Sequence, residues 1–154
     1  MRSATSLLSR CKTFAYGASL VARRQAAAAG ADDALLASSA GGLCCGSTAT
    51  LLVQQAGGWL TPPLASGCLP GVMRARALAL GLVAEAGLGE LGAADLEQSA
   101  GALLLNSLGC RPISQLDGDH LICSPNAARQ AEQFWRRLLP VEPLAQRQPM
   151  VEMR

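Results

Sequence analysis

The stretch from residue 57 to residue 87 limits what this chain can become more than any other part of it. Gly57-Gly58 opens a short run, Trp59-Leu60-Thr61, with the aromatic and β-branched character of a strand. A proline and glycine loop follows, from Thr61-Pro62-Pro63-Leu64 to Leu69-Pro70-Gly71, and the residues from Val72 to Ala86 contain no proline before Gly87. This succession predicts a strand, a loop and a helix over about 72–86, because Pro-Gly ahead of a proline-free run marks a helix start. The first amides of such a helix have no partner within it, so they point at whatever lies beyond its end. An anion placed there gains roughly 0.3–1 kcal/mol from the helix dipole, more when partly buried. A helix start with no ligand is the plain alternative, and the segment alone leaves both readings open.

The remaining elements fall around this step. A helix is expected from about Thr13 to Ala29, stopped by Gly30, and strands at 34–37, 43–45 and 51–54, with Gly41-Gly42 supplying a turn. Further along come a helical turn near Ala94 to Gln98, strands at 102–105 and 111–116, and a turn at Asp117-Gly118. A last helix should start with Ser124 as N-cap and Pro125 in its first position, carry Phe134, Trp135, Leu138 and Leu139 on one apolar stripe, and end at Pro140. Hairpin succession with unevenly spaced helices points to an α+β fold rather than regular strand-helix alternation. We expect one domain over 1–139 and a flexible tail over 140–154, whose prolines and lack of period give it nothing to pack.

Composition excludes several classes. With 50% hydrophobic and 16% charged residues the chain is not a disordered one, and a net charge of +2 with no basic run among aromatics argues against nucleic acid. No apolar block is long enough for a membrane span. The six cysteines include no C-x-x-C pair and His120 is the only histidine, so a metal site is not expected and the thiols are taken as free in a reducing cytoplasm. The acid-free, Arg- and Ser-rich stretch from Met1 to Ala31 has the composition of a transit peptide, but its helix runs straight into a strand as an integral element would.

Among 13 basic residues only Lys12 is a lysine. An amine can lose its proton and act as a nucleophile, which a guanidinium cannot, although a solvated lysine at a helix start remains the ordinary alternative. The order of short motifs adds to this. Lys12-Thr13-Phe14-Ala15-Tyr16 is followed by Asp33-Ala34-Leu35-Leu36, Gly46-Ser47-Thr48-Ala49-Thr50-Leu51-Leu52, Thr61-Pro62-Pro63-Leu64, Leu69-Pro70-Gly71-Val72-Met73-Arg74, Asn106-Ser107-Leu108, Arg111-Pro112-Ile113 and Leu116-Asp117-Gly118. Together, over roughly Ser9 to Gly118, they resemble the class IV (fold-type IV) aminotransferase family of pyridoxal-phosphate enzymes, and most closely its aminodeoxychorismate lyase branch.

The resemblance implies the large, cofactor-holding domain of the D-amino-acid aminotransferase-like fold, a mixed, barrel-like sheet with flanking helices. It implies pyridoxal 5'-phosphate as cofactor and Lys12 as the residue that joins it and moves the substrate's α-proton. Tyr16 matches the tyrosine that reaches the cofactor's phenolic oxygen. Leu69 matches the residue on the pyridine ring, Val72 and Met73 the phosphate cradle, and Ser107 a phosphate-binding hydroxyl. The chain departs from the family where Cys45 stands in place of the glutamate that pairs with the ring nitrogen, and Thr50 in place of a nearby asparagine. Losing that carboxylate removes a charge-assisted contact of about 1.5–3 kcal/mol and weakens the ring as an electron sink. Elimination tolerates this better than transamination does. The implied activity is conversion of 4-amino-4-deoxychorismate to 4-aminobenzoate and pyruvate for folate synthesis, with a branched-chain or D-amino-acid aminotransferase and an inactive, cofactor-binding remnant as alternatives. Implied partners are an amino-acid-like small molecule and, at full length, a second copy of the chain. The family's smaller N-terminal domain is expected to be missing here.

Overall fold

The computed structural model describes residues 1–13 and 16–140, without the side chain of Ser124. Phe14, Ala15 and all but the first residue of the expected tail lie outside them. Four strands in succession form the body of a seven-stranded sheet: β1 (Leu35–Ala37), β2 (Leu43–Gly46), β3 (Thr50–Gln55) and β4 (Gly58–Thr61), each antiparallel to the next. β5 (Ala84–Glu85) runs parallel to β4, while β6 (Gly101–Asn106) pairs antiparallel with β3 and with β7 (Gly109–Pro112). A two-stranded ribbon of β8 (Gln115–Leu116) and β9 (Asp119–His120) turns through Asp117 and Gly118, both at positive φ as a two-residue hairpin turn requires. The helices are α1 (Gly17–Ala28), α2 (Val72–Ala79), α3 (Ala93–Glu97) and α4 (Ala127–Leu138).

The fold is α+β with a mixed sheet, as expected, and the sheet is apolar on both faces. Alternation along β3 and β6 divides their side chains. Leu51, Val53, Ala102 and Leu104 join one cluster with Leu91, Leu96, Ile113 and Leu121, whereas Leu52, Leu103 and Leu105 join another with Ala77 of α2 and Ala131, Phe134 and Leu138 of α4. Leu51, Leu52, Val53 and Leu103 are fully buried, each worth about 1.5–3 kcal/mol of burial. Trp59 meets the edge of Phe134 at 5.6 Å between ring centroids, which pins α4 to β4.

Three helix expectations need correction. α1 begins at Gly17, after Tyr16, so Lys12 and Thr13 precede the helix rather than opening it. α2 ends at Ala79, because Gly81 takes φ +62 and the chain turns back to lay Ala84 beside Leu60 in the parallel β4–β5 pair. The last helix starts at Ala127 with Asn126 as N-cap, and residues Ser124–Asn126 form a 3-10 turn ahead of it. The strand expected at 111–116 is likewise divided between β7 and β8.

The first residues are held by backbone groups. The Arg2 amide donates to Ala37 O at 2.7 Å, the Ser39 amide to Arg2 O at 2.8 Å, and the Ala4 amide to Ser39 Oγ at 2.9 Å. Ser9 Oγ donates to Ser3 O at 2.8 Å. The other side of this segment presses on Gly67, which sits at φ +90 and where a Cβ would lie 2.5 Å from Ser3 O.

Candidate active site

One end of the sheet gathers most of the singled-out residues. Cys45 of β2 lies opposite Thr50 of β3, and Thr50 opposite Leu105 of β6, so the β2–β3 turn and the β6–β7 turn emerge side by side. Asn106 ties them, with Nδ2 donating to Thr48 O at 3.5 Å while its Oδ1 accepts the Leu108 amide at 2.9 Å. Ser107, at the tip, is exposed. The loop that follows β4 brings α2 to the same end, where a Cβ on Gly71 would contact Thr50 Oγ1 at 3.5 Å.

The N-terminus of α2 is built as the sequence suggests. Gly71 is its N-cap in extended conformation and offers no capping side chain, and Ala75 donates to Gly71 O at 2.9 Å. Helix geometry therefore leaves the amides of Val72, Met73 and Arg74 without intrahelical acceptors. Val72 is exposed, Leu69 is half-buried, and Met73 packs against the cluster beneath α4. Arg74 is buried and donates to Pro62 O at 3.0 Å and to Glu85 of β5. It clamps the loop from both sides, and nothing in the sequence distinguished it from the other arginines.

Cys45 is buried in a cluster with Leu36, Cys44 and Cys68, against which Leu64 and Ala22 of α1 pack. Hydrogen bonding from Cys44 lowers the Cys45 pKa most; burial opposes it, and the Arg2 guanidinium assists. The same hydrogen bond, with burial, pushes Cys44 up to about 11. The Nε of Arg2 is buried without a hydrogen-bond partner among the described residues. Sequence reading missed Arg2, because its neighbour is 43 positions away and no local pattern marks it.

A second tie closes the end of the sheet. Asp33 accepts the Ala34 amide at 2.8 Å, the Ser47 amide at 3.3 Å and the Ser47 hydroxyl, and pairs with Arg111 of β7 at 2.7 Å. Burial works to raise its pKa, but the hydrogen bonds from Ser47, Ala34 and Arg111 together outweigh it and hold the carboxyl below its usual value. Above this tie, Arg23 of α1 faces Thr48, Asn106, Leu108 and Arg111 across a cleft of about 270 Å³.

The structure thus brings Cys45, Thr50, the turn that carries Ser107 and the Gly71 start of α2 to one end of the sheet, with Ala22 of α1 packed on the Cys45 cluster and Arg23 lining the cleft. Leu69 and Val72 flank Gly71 in the chain, while Met73 turns into the cluster beneath α4. Lys12 and Tyr16, on the approach to α1, are exposed, so the described residues do not enclose the amine. Free amides and a serine hydroxyl suit a phosphate, and a low-pKa thiol beside a guanidinium suits a basic ring nitrogen, so the donor set is compatible with pyridoxal phosphate. Among the described residues no group of His, Cys, Asp and Glu could hold a metal ion, all six cysteines are free, and no helix is long and apolar enough to cross a membrane.

Comparison with known proteins bears on the family and the fold. The family described as amino-transferase class IV matches residues 1–116. A hypothetical aminotransferase from Mycobacterium tuberculosis superposes with a TM-score of 0.75 at 26% identity, over 88% of this chain and 49% of that one. A protein of Legionella pneumophila described as a 4-amino-4-deoxychorismate lyase gives 0.70 at 26% identity, over 87% and 53%. The branched-chain aminotransferase of Thermoproteus uzoniensis gives 0.69 at 26% identity, over 86% and 46%. The chain therefore spans about half the length of these structures. No curated protein matches it.

Proposed function

This chain belongs to the class IV aminotransferase family, and on that premise we propose that it is the cofactor-holding part of a pyridoxal-phosphate lyase that converts 4-amino-4-deoxychorismate to 4-aminobenzoate and pyruvate. The family is pyridoxal-phosphate dependent, and the Mycobacterium protein has a form described as PLP-bound. The observation that carries the reading is the meeting of the uncapped α2 N-terminus with the Cys45–Thr50 pair at one end of the sheet. By this reading the amides of Val72 and Met73 and the Ser107 hydroxyl take the phosphate, Leu69 packs on the ring, and Cys45 meets the ring nitrogen. Tyr16 serves the phenolic oxygen. Lys12 holds the cofactor through its amine and carries the substrate's α-proton on Nζ. The cofactor, when bound, supplies an electron sink for charge developing at the substrate's α-carbon.

Cys45 favours the lyase over an aminotransferase, since a thiol supports the protonated ring less firmly than a carboxylate and elimination leans on that support less. The likeness to branched-chain aminotransferases supports amino transfer as the second reading. Because the solved relatives are about twice as long, we assign cofactor holding to this region and the completion of the substrate pocket to a further domain and a second copy of the chain in the cytoplasm.

The test is spectroscopic and then chemical. The purified chain incubated with pyridoxal phosphate should develop visible absorption that is lost in Lys12→Ala. Pyruvate released from 4-amino-4-deoxychorismate supports the lyase, and amino transfer that depends on an added keto acid supports the second reading. No lysine-dependent band overturns both in favour of an inactive remnant.

A further inference from the structure

The charge on Arg74 exceeds what its clamp requires. The side chain is 4% exposed, donates to Pro62 O at 3.0 Å and to Glu85, and leaves its Nε buried with no hydrogen-bond partner among the described residues. A charge taken out of water is costly unless a partner of opposite sign neutralises it well. Glu85 does so in part. Its carboxylate is 46% exposed, so water weakens its field, whereas the field of the guanidinium spreads through the interior. The position adds to the imbalance. Arg74 is the third residue of α2, and its Cβ lies 3.9 Å from where a Gly71 Cβ would stand. That end of a helix already carries partial positive charge, which disfavours a cation there, whereas Arg76 stands in the last turn, where the dipole favours one.

The same field reaches the loop ahead of the helix. The hydrogen bond with Cys44 and burial push the Cys68 thiol up, and Arg74 is the cation that works against them. A buried guanidinium with a half-hydrated partner, together with the unpaired amides of Val72 and Met73, leaves an excess of positive potential at the start of α2 that an anion would relieve.

We propose that Arg74 is a positioning residue for the cofactor's phosphate: it fixes the loop from Pro62 to Gly71 and supplies, from beneath, the buried positive charge that draws a dianion to the amides of Val72 and Met73. This rests on the reading of α2 as the phosphate cradle and adds the source of its preference for a charged ligand. Glu85, on β5, holds the guanidinium and moderates its charge. The two members of one ion pair therefore act on the same ligand in opposite directions. A purely structural clamp lacks this asymmetry, since loss of either member loosens the loop.

The full chain is titrated by absorbance with pyridoxal 5'-phosphate and with pyridoxal, which lacks the phosphate, and by calorimetry with inorganic phosphate. Glu85→Gln keeps an acceptor for Arg74 but removes the negative charge, so both phosphate ligands should bind about two- to fivefold more tightly while pyridoxal is unaffected. Arg74→Met should weaken both phosphate ligands by about tenfold or more, and Arg74→Lys, which keeps the charge without the fork, should restore most of that loss. Unchanged or weaker phosphate binding in Glu85→Gln, or equal changes for pyridoxal and pyridoxal phosphate, overturns the role of Arg74 and leaves the cradle standing. An unaltered chain that binds neither phosphate ligand overturns the cradle and the role together. Glu85 is half-exposed on an edge strand, so its variant decides the matter even where Arg74→Met fails to fold.

Discussion

Replacing Gly67 by alanine tests how the N-terminal segment is held. The residue sits at φ +90, where an L side chain costs roughly 1–2 kcal/mol. Its new Cβ would also stand 2.5 Å from Ser3 O and 2.9 Å from Ser3 C, which are backbone atoms and cannot rotate away. Either the loop shifts or the segment lifts. Lifting places at risk the three backbone-anchored hydrogen bonds of Arg2 and Ala4, each worth about 0.5–1.5 kcal/mol net. A shift of the loop spares some of these bonds, so the total should lie at the low end of the sum, about 3 kcal/mol. For a chain of 154 residues that corresponds to a fall in Tm of about 6–12 °C at roughly 2–4 °C per kcal/mol. Thermal unfolding followed by circular dichroism gives this number, and brief tryptic digestion shows whether cleavage after Arg10 and Lys12 has accelerated. A Gly67→Ala chain that melts within about 1 °C of the parent, with unchanged cleavage, refutes the close approach.

Three further outcomes are expected. Asp33 has a folded-state pKa below its unfolded value, so its contribution is present above the usual carboxylate range and is lost as pH falls through the folded pKa; Asp33→Asn should flatten the acid limb of a stability-versus-pH curve. Arg74→Met should cost about 2–3 kcal/mol in urea unfolding, since Pro62 O and Glu85 lose their donor, and Glu85, being half-exposed, recovers part of that from water. Leu52→Ala should cost about 2–5 kcal/mol by the same measurement, because its site is closed by Leu103, Leu105 and α4 and has little room to collapse.

Much of the fold was legible where the code is local. β1 to β4 and β6 stand within a residue or two of expectation, because their apolar runs are bounded by Gly41-Gly42 and Gly57-Gly58 and need no distant partner to be recognised. The Asp117-Gly118 turn was legible for the same reason. α2 was read seven residues too long, since nothing in Leu80 to Ala86 announces that Ala84 will pair with Leu60. The start of α1 was read too early, and Lys12 with it, because helix-favouring composition does not locate a cap. At the site, the α2 N-terminus followed from Pro-Gly, whereas the position of Arg2 beside Cys45 and the Asp33–Arg111 pair, 78 residues apart, are products of tertiary folding and leave no trace in spacing.

The two-faced sheet also has a bearing on how the chain finds its way. Thr50-Leu51-Leu52-Val53 and Ala102-Leu103-Leu104-Leu105 are apolar, or nearly so, at every position, and a strand displaced by one residue would bury almost as much oil as the native one. Alignment must come from elsewhere. Two glycines serve as its gauge marks: Gly46 leaves room for Leu104, whose methyl carbon would come within 2.9 Å of an added Cβ, and Gly101 leaves room for Gln54, Trp59 and Gln130, each within 2.8–2.9 Å. Only one threading seats both notches at once. In this domain the large residues supply the adhesion, and the absent side chains supply the addressing.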